Sequence, residues 1–246
     1  MKNNILLTGG SGTLGSCIIR SKLFKNLIYP SKSSLNILKK KQIKNYLIKN
    51  DINLVIHCAA IARVSECENN KVKAKKINIV GTHNIVDSIL EIKKIKKKII
   101  KIVFISSDAV YPSIKGYYKE TSKLLPYNYY GYTKLEGEKL VKKLNEFVII
   151  RTRFFNKNKI PFKYSATNIY TSGIEVQKLV KYISKLIKLD FKGIINIGGE
   201  RISDYNKYKK YKKKLKPCDK SKIFKKLNFK IATDASMNIH KLKKIL

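Results

Sequence analysis

Tyr130 and Lys134 stand four residues apart, so on a helix they share a face. A free phenol has a pKa of about 10 and is a poor acid or base near neutrality. A neighbouring ammonium stabilises the phenolate and draws that value towards the working range. Ser107 follows the apolar run Ile99–Ile105 and can bring a second hydroxyl to the same substrate oxygen. The three suit proton transfer to a carbonyl oxygen. A Tyr-x-x-x-Lys pair is weak by itself in a chain with 15 Tyr and 54 Lys plus Arg. The order along the chain gives it weight: a glycine-rich loop, then the strand-end serine, then Tyr-Gly-x-Thr-Lys opening a helix.

That loop is Thr8-Gly9-Gly10-Ser11-Gly12-Thr13-Leu14-Gly15, between an apolar strand and an amphipathic segment at helical spacing. Gly9, Gly12 and Gly15 allow a sharp turn, a close approach to a ligand and tight helix packing, with Thr13 and Leu14 opening the helix. A helix start offers unpaired N–H groups and a positive dipole end for a pyrophosphate. The same kind of turn also joins strands to helices with no ligand. Leu27–Tyr29 reads as a second strand, followed by a loop in which no acid is present to bind ribose hydroxyls. Ser31 and Lys32 there could hold a 2′-phosphate, which tilts the expectation to NADPH over NADH, although a solvated loop is the plainer reading. Leu54–Ile56 ends at His57-Cys58-Ala59-Ala60, and the small Ala59 and Ala60 let a flat cofactor lie against the backbone. His57 reads as a strand-end side chain with a local hydrogen bond. The loop then forms one end of a nicotinamide site, with the reactive ring beside Tyr130 and Lys134.

Strands alternate with helices through residue 150, which predicts an α/β, Rossmann-type, doubly wound parallel sheet. Residues 38–49 have helical character. Residues 71–98 read as one long or two broken helices with Ile77, Val80, Ile85 and Ile89 on one face. A third strand is at best vestigial around Leu35–Ile37. Residues 1–153 are expected to form the cofactor-binding domain and 154–246 a small C-terminal substrate lobe, interleaved with the sheet. In that lobe Ile174–Leu189 is amphipathic, Gly193–Ile197 reads as a strand, and Lys207–Lys216 as an exposed helix.

The net charge of +38 invites a nucleic-acid partner. Yet only 5 of the 54 basic residues are Arg, while Ile occurs 36 times and Ala 8 times. That profile fits A+T-rich coding bias better than selection for bidentate phosphate contacts, so no specific nucleic-acid partner is expected. No apolar run reaches the roughly 18–20 residues of a membrane span, so no membrane partner is expected either. The chain enters a strand at once, leaving no room for a signal peptide, and its four cysteines lack paired spacing. Cytoplasmic residence without metal follows as the expectation.

The motif set resembles the extended short-chain dehydrogenase/reductases, most nearly the dTDP-4-dehydrorhamnose reductase type. The residues that match are the Gly9–Gly15 loop, His57–Ala60, Asn78-Ile79-Val80-Gly81-Thr82, Ile105–Tyr111, Tyr118-Lys119-Glu120, Tyr130–Glu136 and the ending Asp234-Ala235-Ser236-Met237-Asn238. The resemblance implies reduction of a nucleotide-linked 4-keto-6-deoxy sugar with NADPH or NADH. By it, Tyr130 is the general acid, Lys134 tunes it and binds the nicotinamide ribose, and Ser107 bonds the ketone oxygen. Asp108 and Phe154 border the sugar, and Asn78 supports the hydrogen-bond network or simply bridges helix and strand. A homodimer is left open.

The chain departs from that pattern by having only about a dozen residues between Phe155 and Asn168. An epimerase-reductase of the GDP-fucose type would need a cysteine where Ala109 stands, and no His lies between 83 and 240. A 4,6-dehydratase would need an acid/base pair, but Asp108 is followed by Ala109. A non-catalytic NAD(P)-binding regulator of this fold, like the regulatory subunit of methionine adenosyltransferase, is the alternative of another class; Ser107, Tyr130 and Lys134 speak against it.

Overall fold

Short β-branched runs separated by amphipathic helices bury both faces of a parallel sheet, and the chain folds accordingly. The computed structural model describes residues 4–225 and 232–246. Up to Thr152 it contains β1 (Asn4–Thr8), α1 (Thr13–Ser21), β2 (Leu27–Ile28), α2 (Lys40–Lys49), β3 (Ile52–His57), α3 (Val64–Asn69), α4 (Lys71–Ala74), α5 (Gly81–Lys96), β4 (Lys101–Ile105), α6 (Tyr129–Val141) and β5 (Phe147–Thr152). Shorter pieces follow: β6 (Phe154–Phe155), β7 (Tyr164–Ala166), β8 (Tyr170–Thr171), β9 (Ile174–Glu175), α7 (Val176–Lys188), β10 (Gly193–Ile197), β11 (Ile202–Ser203), α8 (Asp204–Lys209), β12 (Lys216–Cys218), α9 (Lys220–Phe224) and α10 (His240–Ile245).

Six strands form one parallel sheet in the order β2-β1-β3-β4-β5-β10. The chain leaves β1 in one direction for β2 and returns on its other side as β3. The crevice at the carboxyl ends of β1 and β3 is therefore the topological switch point, where such sheets bind ligands. Alternate strand residues feed two cores. Ile5, Leu7, Leu54 and Ile56 face Ile18 of α1, Leu179 and Ile183 of α7 and Leu242 of α10. Leu6 and Val55 face Ile43 and Leu47 of α2, Ile85 and Ile89 of α5 and Val141 of α6. Each fully buried Leu or Ile contributes about 1.5–3 kcal/mol, so truncating one in either layer loosens the sheet that carries the site.

The doubly wound sheet agrees with the sequence expectation, with local differences. Leu35–Ile37 forms no strand; Leu35 enters the second core from a turn closed by a bond from its N–H to Ser31 O of 2.9 Å. Residues 71–98 are broken by a π-helical segment, Lys75–Val80. Its wider turn rotates the following residues, leaving Val80 exposed instead of on the apolar face with Ile85 and Ile89, and turning Asn78 inwards. The 207–216 segment is not an exposed helix. Only Asp204–Lys209 is helical there, capped by Ser203 Oγ, and Lys207 is buried because its Nζ reaches Thr171 Oγ1 at 2.7 Å and Asp204 Oδ1 at 2.6 Å.

Candidate active site

The Gly9–Gly15 turn is built on backbone contacts. Gly9 has φ +75°, and a Cβ on it would meet Ala59 N at 2.6 Å. A Cβ on Gly15 would meet Gly9 O at 2.2 Å, so α1 can start this close to β1 only with glycine there. At Gly12, which lines both cavities of this region, such a Cβ would meet nothing nearer than 3.4 Å. No side chain caps the start of α1 and its first turn has no acid, so its N–H groups and dipole face the groove unopposed. A cavity of about 550 Å³ runs from this turn past Ser31, Lys32, Ala59 and Ala60. A second, of about 360 Å³, shares Gly9, Gly12, Cys58 and Ala60 with it and extends past Thr13, Leu14 and Gly15 to Ser107, Tyr130 and Lys134. The two make one groove across the switch point.

At the reactive end, β4 delivers Ser107 into a short turn. Its Oγ accepts from Ala109 N at 3.1 Å and donates to Asp108 Oδ1 at 3.1 Å. Asp108 is buried and ion-paired with Arg153 Nε. Tyr130 and Lys134 come from consecutive turns of α6, whose start is capped twice: Asn128 Oδ1 accepts from Gly131 N at 2.8 Å and Glu68 Oε1 from Tyr129 N at 2.7 Å. Gly131 explains why Tyr130 can reach Ser107. A Cβ on it would lie 2.1 Å from Ala109 O, so the helix rests directly on the serine's loop. Asn78 ties the third side together. Its Oδ1 accepts from Ile61 N at 2.8 Å, and its Nδ2 donates to Ile61 O at 3.0 Å and Thr133 Oγ1 at 2.9 Å.

Burial sets the protonation states. It draws the Lys134 ammonium down to about 8, against the weaker pull of Cys58 and Glu138 the other way. It pushes the Tyr130 phenol well above its ordinary range, with the Ser107 hydroxyl opposing. The tuning of Tyr130 expected from Lys134 does not set its value here: burial does, and Lys134 is not among the groups that shift it. Lys134 Nζ sits 4.1 Å from the Phe104 ring centroid and makes no hydrogen bond or ion pair among the described residues. His57 is no site residue: its Nδ1 lies 2.7 Å from Thr8 Oγ1 and its Nε2 3.0 Å from Thr82 Oγ1, and burial drops its pKa to about 3.

Phe154 and Asp108 line the second cavity, and so do Arg153 and Tyr127, which were not singled out from the sequence. A buried ion pair, not expected from the sequence, lies under the site. Arg151 donates through Nε to Glu138 Oε1 at 3.0 Å and through its second terminal nitrogen to Oε2 at 2.7 Å, while Ser106 Oγ donates to Oε1 at 2.6 Å. The signal was there: two of five arginines fall at the end of one buried strand.

Residues 1–162 match the family described as RmlD substrate binding domain. The chain belongs to that family. Among solved structures, a hypothetical dTDP-4-dehydrorhamnose reductase from Sulfolobus tokodaii superimposes on this RmlD-family chain with a TM-score of 0.83 at 30% identity, covering 99% of this chain and 94% of that one. A dTDP-4-dehydrorhamnose reductase from Bacillus anthracis, in complex with NADP, gives a TM-score of 0.87 at 22% identity over 99% and 93%. Methionine adenosyltransferase 2 subunit beta from Bos taurus is 27% identical over 150 residues, 57% of this chain and 43% of the beta subunit. The chain thus spans less than half the length of that curated relative.

Proposed function

We propose that this RmlD-family chain is an NADPH-dependent oxidoreductase that reduces the ketone of a nucleotide-linked 4-keto-6-deoxy sugar. The observation that carries the reading is the continuity of one groove from the uncapped start of α1 to Ser107, Tyr130 and Lys134. The likeness to the Sulfolobus tokodaii and Bacillus anthracis structures supports the same substrate class and, through the NADP complex, the cofactor.

The residues present fit a dinucleotide. Gly12 leaves room against the groove, and the start of α1 offers N–H groups to the pyrophosphate. At the other end Lys134 Nζ has no partner and the buried Thr152 Oγ1 is unbonded among the described residues. Both suit polar groups of the nicotinamide half. Lys32 would meet the adenosine 2′ position, on a turn shaped by Ser31. When bound, NADPH supplies the hydride that reduces the ketone carbon.

The chain's own groups supply the proton. Tyr130, kept protonated by burial, holds its proton at Oη beside Ser107 and gives it to the ketone oxygen as negative charge develops there. Lys134, charged below a pH of about 8, stabilises the phenolate that remains. Ser107 accepts from Ala109 N and donates to Asp108, so its proton must swing from Asp108 to assist the same oxygen. Cytoplasmic residence and a homodimer belong to the proposal: the free cysteines suit a reducing compartment.

A second reading, a non-catalytic NAD(P)-binding subunit, is favoured by the likeness to the methionine adenosyltransferase beta subunit. One experiment separates them. Purified protein given NADPH and dTDP-4-dehydrorhamnose should consume the reduced cofactor, and Tyr130→Phe should cut the rate by roughly 10²–10⁴-fold, the range of a general acid. Equal rates for wild type and Tyr130→Phe would end the reductase reading.

A further inference from the structure

The two arginines at the end of β5 differ in what they leave over. Arg151 is 1% exposed and spends Nε and both terminal nitrogens on Glu138, Tyr111 and the Glu120 carbonyl. It is saturated. Arg153 lines the second cavity, as Ser107 and Phe154 do, with 32% of its side chain exposed, and gives only Nε to Asp108. A guanidinium carries five N–H donors; one terminal N–H lies parallel to Nε–H and faces the same carboxylate, which leaves three on the terminal nitrogens for other acceptors. The Tyr127 phenol, which lines the same cavity, is near enough to act on the guanidinium. The terminal nitrogens make no hydrogen bond among the described residues, and the side chain lines the cavity.

Charge decides what they can bind. Asp108 is 2% exposed and neutralises Arg153, and Asp204 acts on it from the lobe side. A further anion placed there would meet Asp108 as a like charge. The guanidinium therefore presents a planar set of donors without a net field, which fits a neutral oxygen acceptor such as a hydroxyl. Phe154 supplies an apolar face beside it, against which the C–H side of a sugar ring can rest. Ser107 and Tyr130 fix where the reacting carbonyl oxygen lies, and Arg153 borders that position through Asp108.

We infer that Arg153 is a specificity residue: with Nε tied to Asp108, its terminal amino groups donate to the sugar hydroxyl on the carbon next to the carbonyl being reduced. The site thereby selects nucleotide sugars that keep an oxygen at that carbon. The inference rests on the reductase reading, and it adds which part of the sugar is read and by which residue.

The test compares dTDP-4-dehydrorhamnose with its analogue lacking the hydroxyl next to the carbonyl, in wild type, Arg153→Met and Arg153→Lys, with NADPH affinity measured alongside. Arg153→Met should raise KM for the hydroxylated sugar roughly 10- to 100-fold, the worth of a charge-assisted hydrogen bond. KM for the analogue and the NADPH Kd should not move. Arg153→Lys, which keeps a cation for Asp108 but loses the planar fork, should lie between, and it decides the matter if Arg153→Met does not fold. An Arg153 that only steadied Asp108 and Ser107 would lower kcat for both sugars equally at unchanged KM, and that result overturns the inference. A wild type that binds NADPH but reduces neither sugar overturns the reductase reading itself, and the role of Arg153 with it.

Discussion

The two ends of the groove are made of different materials. Around Gly9–Gly15 and Ala59–Ala60 the cofactor end consists of backbone: a positive φ, glycines touching carbonyl oxygens, and the open N–H groups of α1. Around β5 and the short strands after it, the substrate end consists of paired side chains. Asp108–Arg153, Glu138–Arg151 and Asp234–Arg201 each hold two segments together, and Lys207, paired with Asp204 in its own helix, reaches across to Thr171. Three of the five arginines are there, in a chain whose other cations are mostly solvated lysines. A backbone cradle suits a ligand part that never varies, whereas side-chain pairs can be exchanged when the sugar changes. The overall charge of the protein thus says little about its chemistry, while the placement of its few arginines says a great deal.

The largest effect should come from breaking a pair at the substrate end. Glu138→Gln leaves the Arg151 guanidinium buried without its counter-charge, a loss of about 3–5 kcal/mol. For a chain of this size that corresponds to a melting midpoint lower by roughly 6–20 °C. Replacing both partners with Met should recover much of the loss, since a buried pair gains little over well-packed apolar groups. If the single variant melts with wild type, the pairs are ornaments on a fold held elsewhere.

Gly131→Ala tests the joint between the two ends. The added Cβ meets the Ala109 carbonyl, a backbone atom, so α6 has to move away from the Ser107 loop. A displacement near 1 Å at reacting groups costs up to about 10²-fold in rate, and kcat should fall by that order while NADPH Kd changes much less. Unaltered kcat would show that the loop yields and that the close contact does not set Tyr130 against Ser107.

The same division explains what could be read in advance. Short apolar runs alternating with amphipathic helical segments gave away the parallel sheet, and the glycine spacing gave away the turn, because both are read from short stretches taken in order. The positions of Ser107, Tyr130 and Lys134 followed from their order along the chain. Arg153 was missed because its partner Asp108 is 45 positions away, and Lys207 because its partner Thr171 is 36 away. Val80 was misplaced because one π-helical segment shifts a 3.6-residue period, which no composition reveals. Side-chain pairing across distant segments is a property of the finished fold, and the substrate end consists of little else.

The smallest effect belongs to the one place where the cofactor end departs from backbone recognition. Ser31 Oγ is already engaged, 2.7 Å from Ser33 Oγ and accepting from Ser34 N at 3.2 Å, so it shapes the turn. Lys32 is exposed at the rim of the larger cavity and is the residue free to meet a 2′-phosphate. Lys32→Asp replaces attraction by repulsion at a solvent-screened position, so the ratio of kcat/KM for NADPH over NADH should fall only about five- to tenfold. The shift should shrink as salt is raised, because exposed charges are screened within about 8–10 Å. An unchanged ratio would mean that Lys32 faces solvent alone, and that the cofactor end uses its backbone for everything, the 2′ position included.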